Sequence, residues 1–175
     1  MKLPDICPLE DVPSEQLAAF ETQSCNCCRA RSWLCSDEPP LCQGRETEAE
    51  VYRFLWESSF NGAALVRIAR AGDIFRLNSR FLRYSRLYLD EPTVSIALSS
   101  NEWARLQQEL TASSFWTLNE TDRRMGFDGS NWLIEGRHGN AYKWVERWSP
   151  QGAIRDLGLC FFALAGVPYS QIKLS

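Results

Sequence analysis

The chain has 175 residues and a mass of 20.0 kDa, the size of one ordinary domain with at most one appended segment. At 45% hydrophobic, 12% aromatic and 23% charged residues, the composition excludes a disordered chain, a collagen-like repeat and a coiled coil as descriptions of the whole. A net charge of −3 is too mild to identify a nucleic-acid or membrane partner, and a single His leaves little room for centres that need one imidazole as base and others as metal ligands.

Residues 1–50 hold ten acids against four bases, with Pro4, Pro8, Pro13, Pro39 and Pro40 and few β-branched residues. They read as an irregular acidic arm with one short helix, capped at Ser14 and reaching about Ser24. Six of the seven cysteines fall here: Cys7, Cys25, Cys27, Cys28, Cys35 and Cys42. Three readings stay open. Cys25 and Cys28 form a C-x2-C step that Cys35 and Cys42 complete as four thiolates around Zn²⁺, although the second spacing is wrong for a familiar knuckle. Six cysteines also suit a disulfide framework, and the third reading is a set of reduced thiols. Near the start, Pro4, Asp5 and Pro8 interrupt the apolar run that a signal peptide needs, and no run of roughly 18 apolar residues occurs anywhere. The expectation is a cytoplasmic protein without a membrane partner, or a periplasmic one if a signal peptide has been removed.

From Val51 the pattern changes to period two and near-continuous apolar runs, which mark strands. Val51 to Trp56 is the first, with Tyr52, Phe54 and Trp56 on one face. The Asn61-Gly62 turn leads to Ala64–Arg70, a second turn at Ala71-Gly72-Asp73 leads to Ile74–Tyr84, and a fourth strand spans Pro92–Ser99. Ser99 and Glu102 have capping-box spacing and open a helix on which Trp103, Leu106 and Leu110 share a face. Phe115 and Trp116 follow as core anchors, and a polar loop runs from Asn119 to Ser130. The strands Asn131–Gly136 and Ala141–Trp148 form a hairpin around Arg137-His138-Gly139-Asn140. Trp132 and Ile134 share a face of the first, and Tyr142, Trp144 and Trp148 a face of the second, a stripe that reads as core. A last helix runs from Ile154 to Ala165, burying Leu157, Cys160, Phe161 and Leu164. Successive hairpins without βαβ crossovers predict an α+β fold: a mostly antiparallel sheet of about six strands with helices on one face, over residues 51–175.

The strings Tyr52-Arg53-Phe54-Leu55-Trp56, Phe115-Trp116, Gly126-Phe127-Asp128-Gly129-Ser130-Asn131-Trp132-Leu133-Ile134-Glu135-Gly136 and, after Tyr142, Arg147-Trp148-Ser149-Pro150 carry a resemblance. Over about residues 50–166 the chain resembles a family of uncharacterised bacterial proteins with YRFLW, G(L/F)DGxxWxxE and RWSP segments. That family has no established activity, so the resemblance implies common descent and no chemistry. This chain departs from it at Tyr84 to Pro92, where the family carries a Gly-rich segment.

An acid/base site would be assembled from His138 with Asp122, Asp128 and Glu135, but His138 sits at a hairpin tip where exposure is the default, with no nucleophile or oxyanion donor nearby. Glu135 and Arg147 are expected to pair across adjacent strands, and Asp128-Gly129 to make a turn. Residues 51–90 hold seven Arg and three acids. Within them Arg67, Arg70, Arg76, Arg80, Arg83 and Arg86 make a basic patch, and its preferred use is pairing with the acidic arm, which folds the arm onto the sheet. Nucleic acid is disfavoured by the overall acidity, and no catalytic set is expected. An acidic protein is the partner expected at Arg76, Arg80, Arg83 and Arg86. The functional expectation is a non-enzymatic protein-binding module, an immunity or inhibitor protein that neutralises a cognate antibacterial toxin. The alternative is a cysteine-rich metal-binding or redox-responsive domain, with Zn²⁺ its only candidate cofactor.

Overall fold

A computed structural model describes Leu34, Cys35, Glu38, Leu41, residues 49–83 and 93–122, Arg124, Gly126 and residues 128–167. The short helix expected between Ser14 and Ser24 lies outside the described residues. From Glu50 the chain runs as β1 (Glu50–Ser58), β2 (Gly62–Ala71), β3 (Ile74–Arg83), β4 (Val94–Leu98), α1 (Ser100–Ala112), a 3-10 turn (Phe115–Thr117), β5 (Ser130–His138), β6 (Ala141–Trp148) and α2 (Ala153–Leu164). The strands form one six-stranded sheet, every neighbouring pair antiparallel, in the order β4-β3-β2-β1-β5-β6. The first four strands are a meander that steps away from β1. The stretch containing α1 then carries the chain back to β1's other side. The predicted α+β architecture is thus the observed one, with strand ends shifted by a residue or two, as expected where fraying competes with turn formation.

β1 is central, and all nine of its residues are buried. Its even-numbered positions face the helices. Tyr52, Phe54 and Trp56 join Val66, Ile68 and Leu77 from the neighbouring strands, Trp103, Leu106 and Leu110 from α1, Phe115, and Leu157, Phe161 and Phe162 from α2 in the main core. α1 starts where the sequence predicts: the Ser99 hydroxyl accepts from the Glu102 N–H at 3.3 Å, and Glu102 Oε2 accepts from the Ser99 N–H at 2.7 Å. These reciprocal bonds satisfy donors that a helix start otherwise leaves open, and the Ser99 hydroxyl, donating to Glu102 Oε2 at 2.7 Å, together with the Ser99 N–H lowers the Glu102 carboxyl below its ordinary value. α2 comes so close to β5 that an added methyl on Gly158 would sit 2.1 Å from Trp132 Cζ3. A glycine in mid-helix costs roughly 1 kcal/mol against alanine, which is less than forcing a methyl into two fixed aromatic rings would cost.

The odd-numbered positions of β1 face the other way and are covered by the arm. Leu34 and Cys35 pack with Leu55, Ala63, Leu65, Leu82 and Leu133, while Leu41 packs with Val51 and Ala69. The helices therefore take one face and the described arm residues take the other. Among the described residues no helix is long and apolar enough to cross a membrane.

The β5–β6 hairpin differs from expectation. Its strands stay paired up to His138 and Ala141, so the loop is the two residues Gly139 and Asn140 rather than four. With Val145 opposite Ile134, the stripe of Tyr142, Trp144 and Trp148 lies on the arm's face and is half-buried, opposite the face that holds Trp132. Pairing register decides which face a period-two stripe takes, because a one-residue shift exchanges the faces.

Candidate functional site

On the arm's face, Arg67 of β2, Arg53 of β1 and Glu135 of β5 stand side by side in register. Two arginines directly opposite one another would repel. Here each has an acid: Arg53 Nε and Nη2 both donate to Glu135 Oε2 at 2.7 Å, and Glu38 of the arm places Oε2 3.5 Å from Arg67 Nε and 3.9 Å from Arg53 Nη1. Arg53 is 3% exposed and Glu135 1%, so two cations and two carboxylates balance within a buried row. Burial alone would disfavour the Arg53 charge, but Glu135, Cys35 and Glu38 hold its ionisation above the ordinary arginine value. The Tyr142 hydroxyl completes the row by donating to Glu135 Oε1 at 2.8 Å. Glu50 has a matching place on the helix face: it accepts from the Tyr52 hydroxyl at 2.6 Å and from Gln107 Nε2 at 3.0 Å, which ties α1 to β1.

These two tyrosines give the fold a pH dependence. Burial, reinforced by the neighbouring carboxylate, raises the ionisation of Tyr52 beside Glu50 and of Tyr142 beside Glu135 far above the ordinary value. The folded state keeps both protons while the unfolded chain releases them near pH ~10. Stability is therefore intact below that pH and falls as pH rises through it, by about 1.4 kcal/mol per pH unit for the fully buried Tyr52. In an alkaline titration, phenolate absorbance from Tyr52 and Tyr142 should appear only together with loss of the sheet's circular dichroism. Tyr52→Phe should remove that steep component, and early phenolate formation at unchanged dichroism would refute the assignment.

The arginines of the predicted patch divide. Arg67 pairs with Glu38, and Arg70 donates to Gly72 O at 2.9 Å, approaches Glu50 at 4.0 Å and lies over the Phe75 ring. The pairing expected between these arginines and acids of the first fifty residues thus occurs through Glu38 and Glu50. Arg76 and Arg80 lie on the arm's face of β3, whereas Arg83, at an odd position, lies on the helix face. Arg76 and Arg83 are exposed, and Arg80 Nε donates to Thr93 Oγ1 at 2.8 Å. Arg86 lies outside the described residues, as do Cys25, Cys28 and Cys42 of the expected metal set. Cys35, the fourth, is buried among Leu55, Leu65 and Leu133. Cys160 is a buried thiol on α2, pushed up to about 11 by burial.

The acid/base set is not brought together. His138 is at the hairpin tip and Asp128 precedes the opposite end of β5, about 33 Å away for ten residues of extended chain. Glu135 is spent on Arg53. The expected Glu135–Arg147 pair does not form: Arg147 stands opposite Trp132, on the helix face, and donates to Glu120 O at 2.9 Å and Asn119 O at 2.7 Å. Asp128-Gly129 is a bend rather than the expected turn, with Gly129 at the positive φ of +150 and too close to Ser149 for a side chain. Sequence reasoning missed Arg53. Its signal was a charge in the middle of a run apolar on both sides, which demands a buried partner once the strand is central.

The two sheet edges are treated differently. β6 is covered by the chain at Thr121, which bridges Glu146, and the Glu146 N–H donates to Glu120 O at 2.7 Å. No described residue pairs with the outer edge of β4. Beside it Val94 is 46% exposed and Ile96 38%, and Ile74 at the start of β3 is 63% exposed.

No protein-family model matches the chain, and no curated protein matches it.

Proposed function

We propose that this chain is a non-enzymatic protein-binding module, an immunity or inhibitor protein that neutralises a cognate antibacterial toxin. The observation that supports this reading is the β3–β4 margin of the sheet, with exposed Val94 and Ile96 on its helix side and exposed Ile74 and the arginines Arg76 and Arg80 on its other side. Apolar side chains and arginine together are what protein interfaces enrich, and water-facing isoleucine and valine on an edge strand are otherwise a liability. Cytoplasmic residence, with the toxin met inside the cell, belongs to the same proposal.

Co-expression with toxin genes encoded beside this one is the test. Protection of growth, together with a complex of the two purified proteins, is the expected result. A neighbouring toxin that kills at an undiminished rate and fails to bind the purified protein would overturn the proposal.

A further inference from the structure

We infer that the outer edge of β4 is a strand-addition site for an extended segment of a partner protein whose residues alternate carboxylate and apolar. The inference rests on the protein-binding reading above and names the chemistry of the partner.

Three features of the edge carry it. First, β4 (Val94–Leu98) has no charge, no proline and no break in its register with β3, and no described residue pairs with its outer edge. The other edge of the sheet is closed by the Thr121–Glu146 bridge. Second, the two faces of β4 offer different surfaces to a neighbour. On the helix side stand Val94 and Ile96, opposite Ser79 and Leu77 and partly open to solvent. On the other side stand the small residues Ser95 and Ala97, opposite Asn78 and Arg76. Third, β3 and β4 together carry Arg76, Arg80 and Arg83 and no carboxylate.

The small residues connect these features. An added strand would lie about 9.6 Å from β3, two strand spacings away, and a guanidinium can cross most of that distance only where the intervening side chains are short. Ala97 gives Arg76 such a path. Arg80 already follows one, since its Nε reaches Thr93 Oγ1, just beyond the start of β4. Among the described residues the edge thus presents backbone groups that no strand pairs, flanked by guanidinium on one side and aliphatic surface on the other. Main-chain bonds supply affinity in such an addition, and side chains at alternate positions supply specificity. A partner strand with carboxylates on the Arg76 side and Val, Ile or Leu on the Ile96 side satisfies both faces at once. A second copy of β4 does not, because it would bring its own Arg76 and Arg80 toward these.

The test uses the full chain and fluorescein-labelled octapeptides of alternating Glu and Val, alternating Lys and Val, and the same Glu/Val composition in blocks, with a single-stranded oligonucleotide of random sequence as a further probe. The Glu/Val alternating peptide should bind at least about tenfold more tightly than the other two peptides, with affinity that falls as salt rises. Amide resonances of Val94–Leu98 should shift and exchange more slowly on binding. R76E, at an exposed position, should shift the preference toward the Lys/Val peptide while leaving the thermal midpoint in place, which separates recognition from folding. Equal binding of the Glu and Lys peptides, shifts confined to the Tyr142–Trp148 face, or the oligonucleotide displacing the peptide at the same amides would each overturn the inference. Peptide binding in a protein that fails to protect against any neighbouring toxin would sink the toxin reading and leave the strand-addition site standing. Protection without peptide binding would do the reverse.

Discussion

Glu135→Leu, with Arg53 left in place, is expected to destabilise the protein by about 3–5 kcal/mol. The Arg53 guanidinium is buried beneath the arm and makes both of its 2.7 Å bonds to one carboxylate oxygen. Removing that carboxylate leaves Arg53 and Arg67 side by side with Glu38 as the nearest acid the row retains, and removes the bond the Tyr142 hydroxyl donates to Glu135. The cost is that of a buried charge stripped of its nearest acid and not the worth of the pair, which desolvation reduces to near break-even. Arg53→Met combined with Glu135→Leu should therefore recover most of the loss. Urea unfolding of both variants measures this, read from the midpoint at constant m-value. A single-variant loss below about 1 kcal/mol would mean that water reaches the pair and that the row behaves as an ordinary surface salt bridge.

Phe54→Ala should cost a similar amount, about 3–5 kcal/mol, for a different reason. The Phe54 ring sits 5.2 Å from Trp132, 5.5 Å from Phe161 and 5.1 Å from Phe162, between the sheet and α2. Those neighbours have little freedom to close the cavity. Trp132 is anchored by its Nε1 donating to Ser130 Oγ at 2.7 Å, α2 already touches Trp132 through Gly158, and β1 is paired on both sides. Phe81, on the same face but only half-buried and nearer the sheet margin, is the control: Phe81→Ala should cost about 1–2 kcal/mol, in keeping with the smaller apolar area it removes from water. Differential scanning calorimetry on the two variants decides it. Equal losses would place the centre of the core nearer β3 than the β1–β5–α2 junction.

Both effects depend on the same strand, and β1 shows what could be read directly from residues. Alternation in Tyr52, Phe54 and Trp56 was enough to assign their common face, because strand geometry sends alternate side chains to opposite sides whatever surrounds them. The capping box at Ser99 and the buried stripe of Trp103, Leu106 and Leu110 were legible for the same reason: their hydrogen bonds and their spacing are local to one helix. The arginine-rich meander and the acidic arm were legible as opposite charges, and Glu38 and Glu50 are where they meet.

The partner of each charge was another matter. Glu135 has Arg147 close in sequence, yet the register places Trp144 opposite Glu135 and Trp132 opposite Arg147, on different faces. Arg53 is 82 residues from its acid and meets it only because the chain returns to β1's free side after α1. The face taken by Tyr142, Trp144 and Trp148 turned on strand register in the same way, whereas the separation of Arg83 from Arg76 and Arg80 follows from alternation within β3 alone.

By itself, the sequence determined the element types, their order and the antiparallel α+β class, since periodicity, caps and turn residues act over a few positions and need no distant partner. Only the tertiary structure decided that β1 is central, that Arg53 and Glu135 are joined, that Leu34, Cys35, Glu38 and Leu41 lie on one face, and that among the described residues β4 is left as an edge. Those outcomes depend on strand order and register, and both are set by burial summed over the whole sheet, which no local stretch of residues contains.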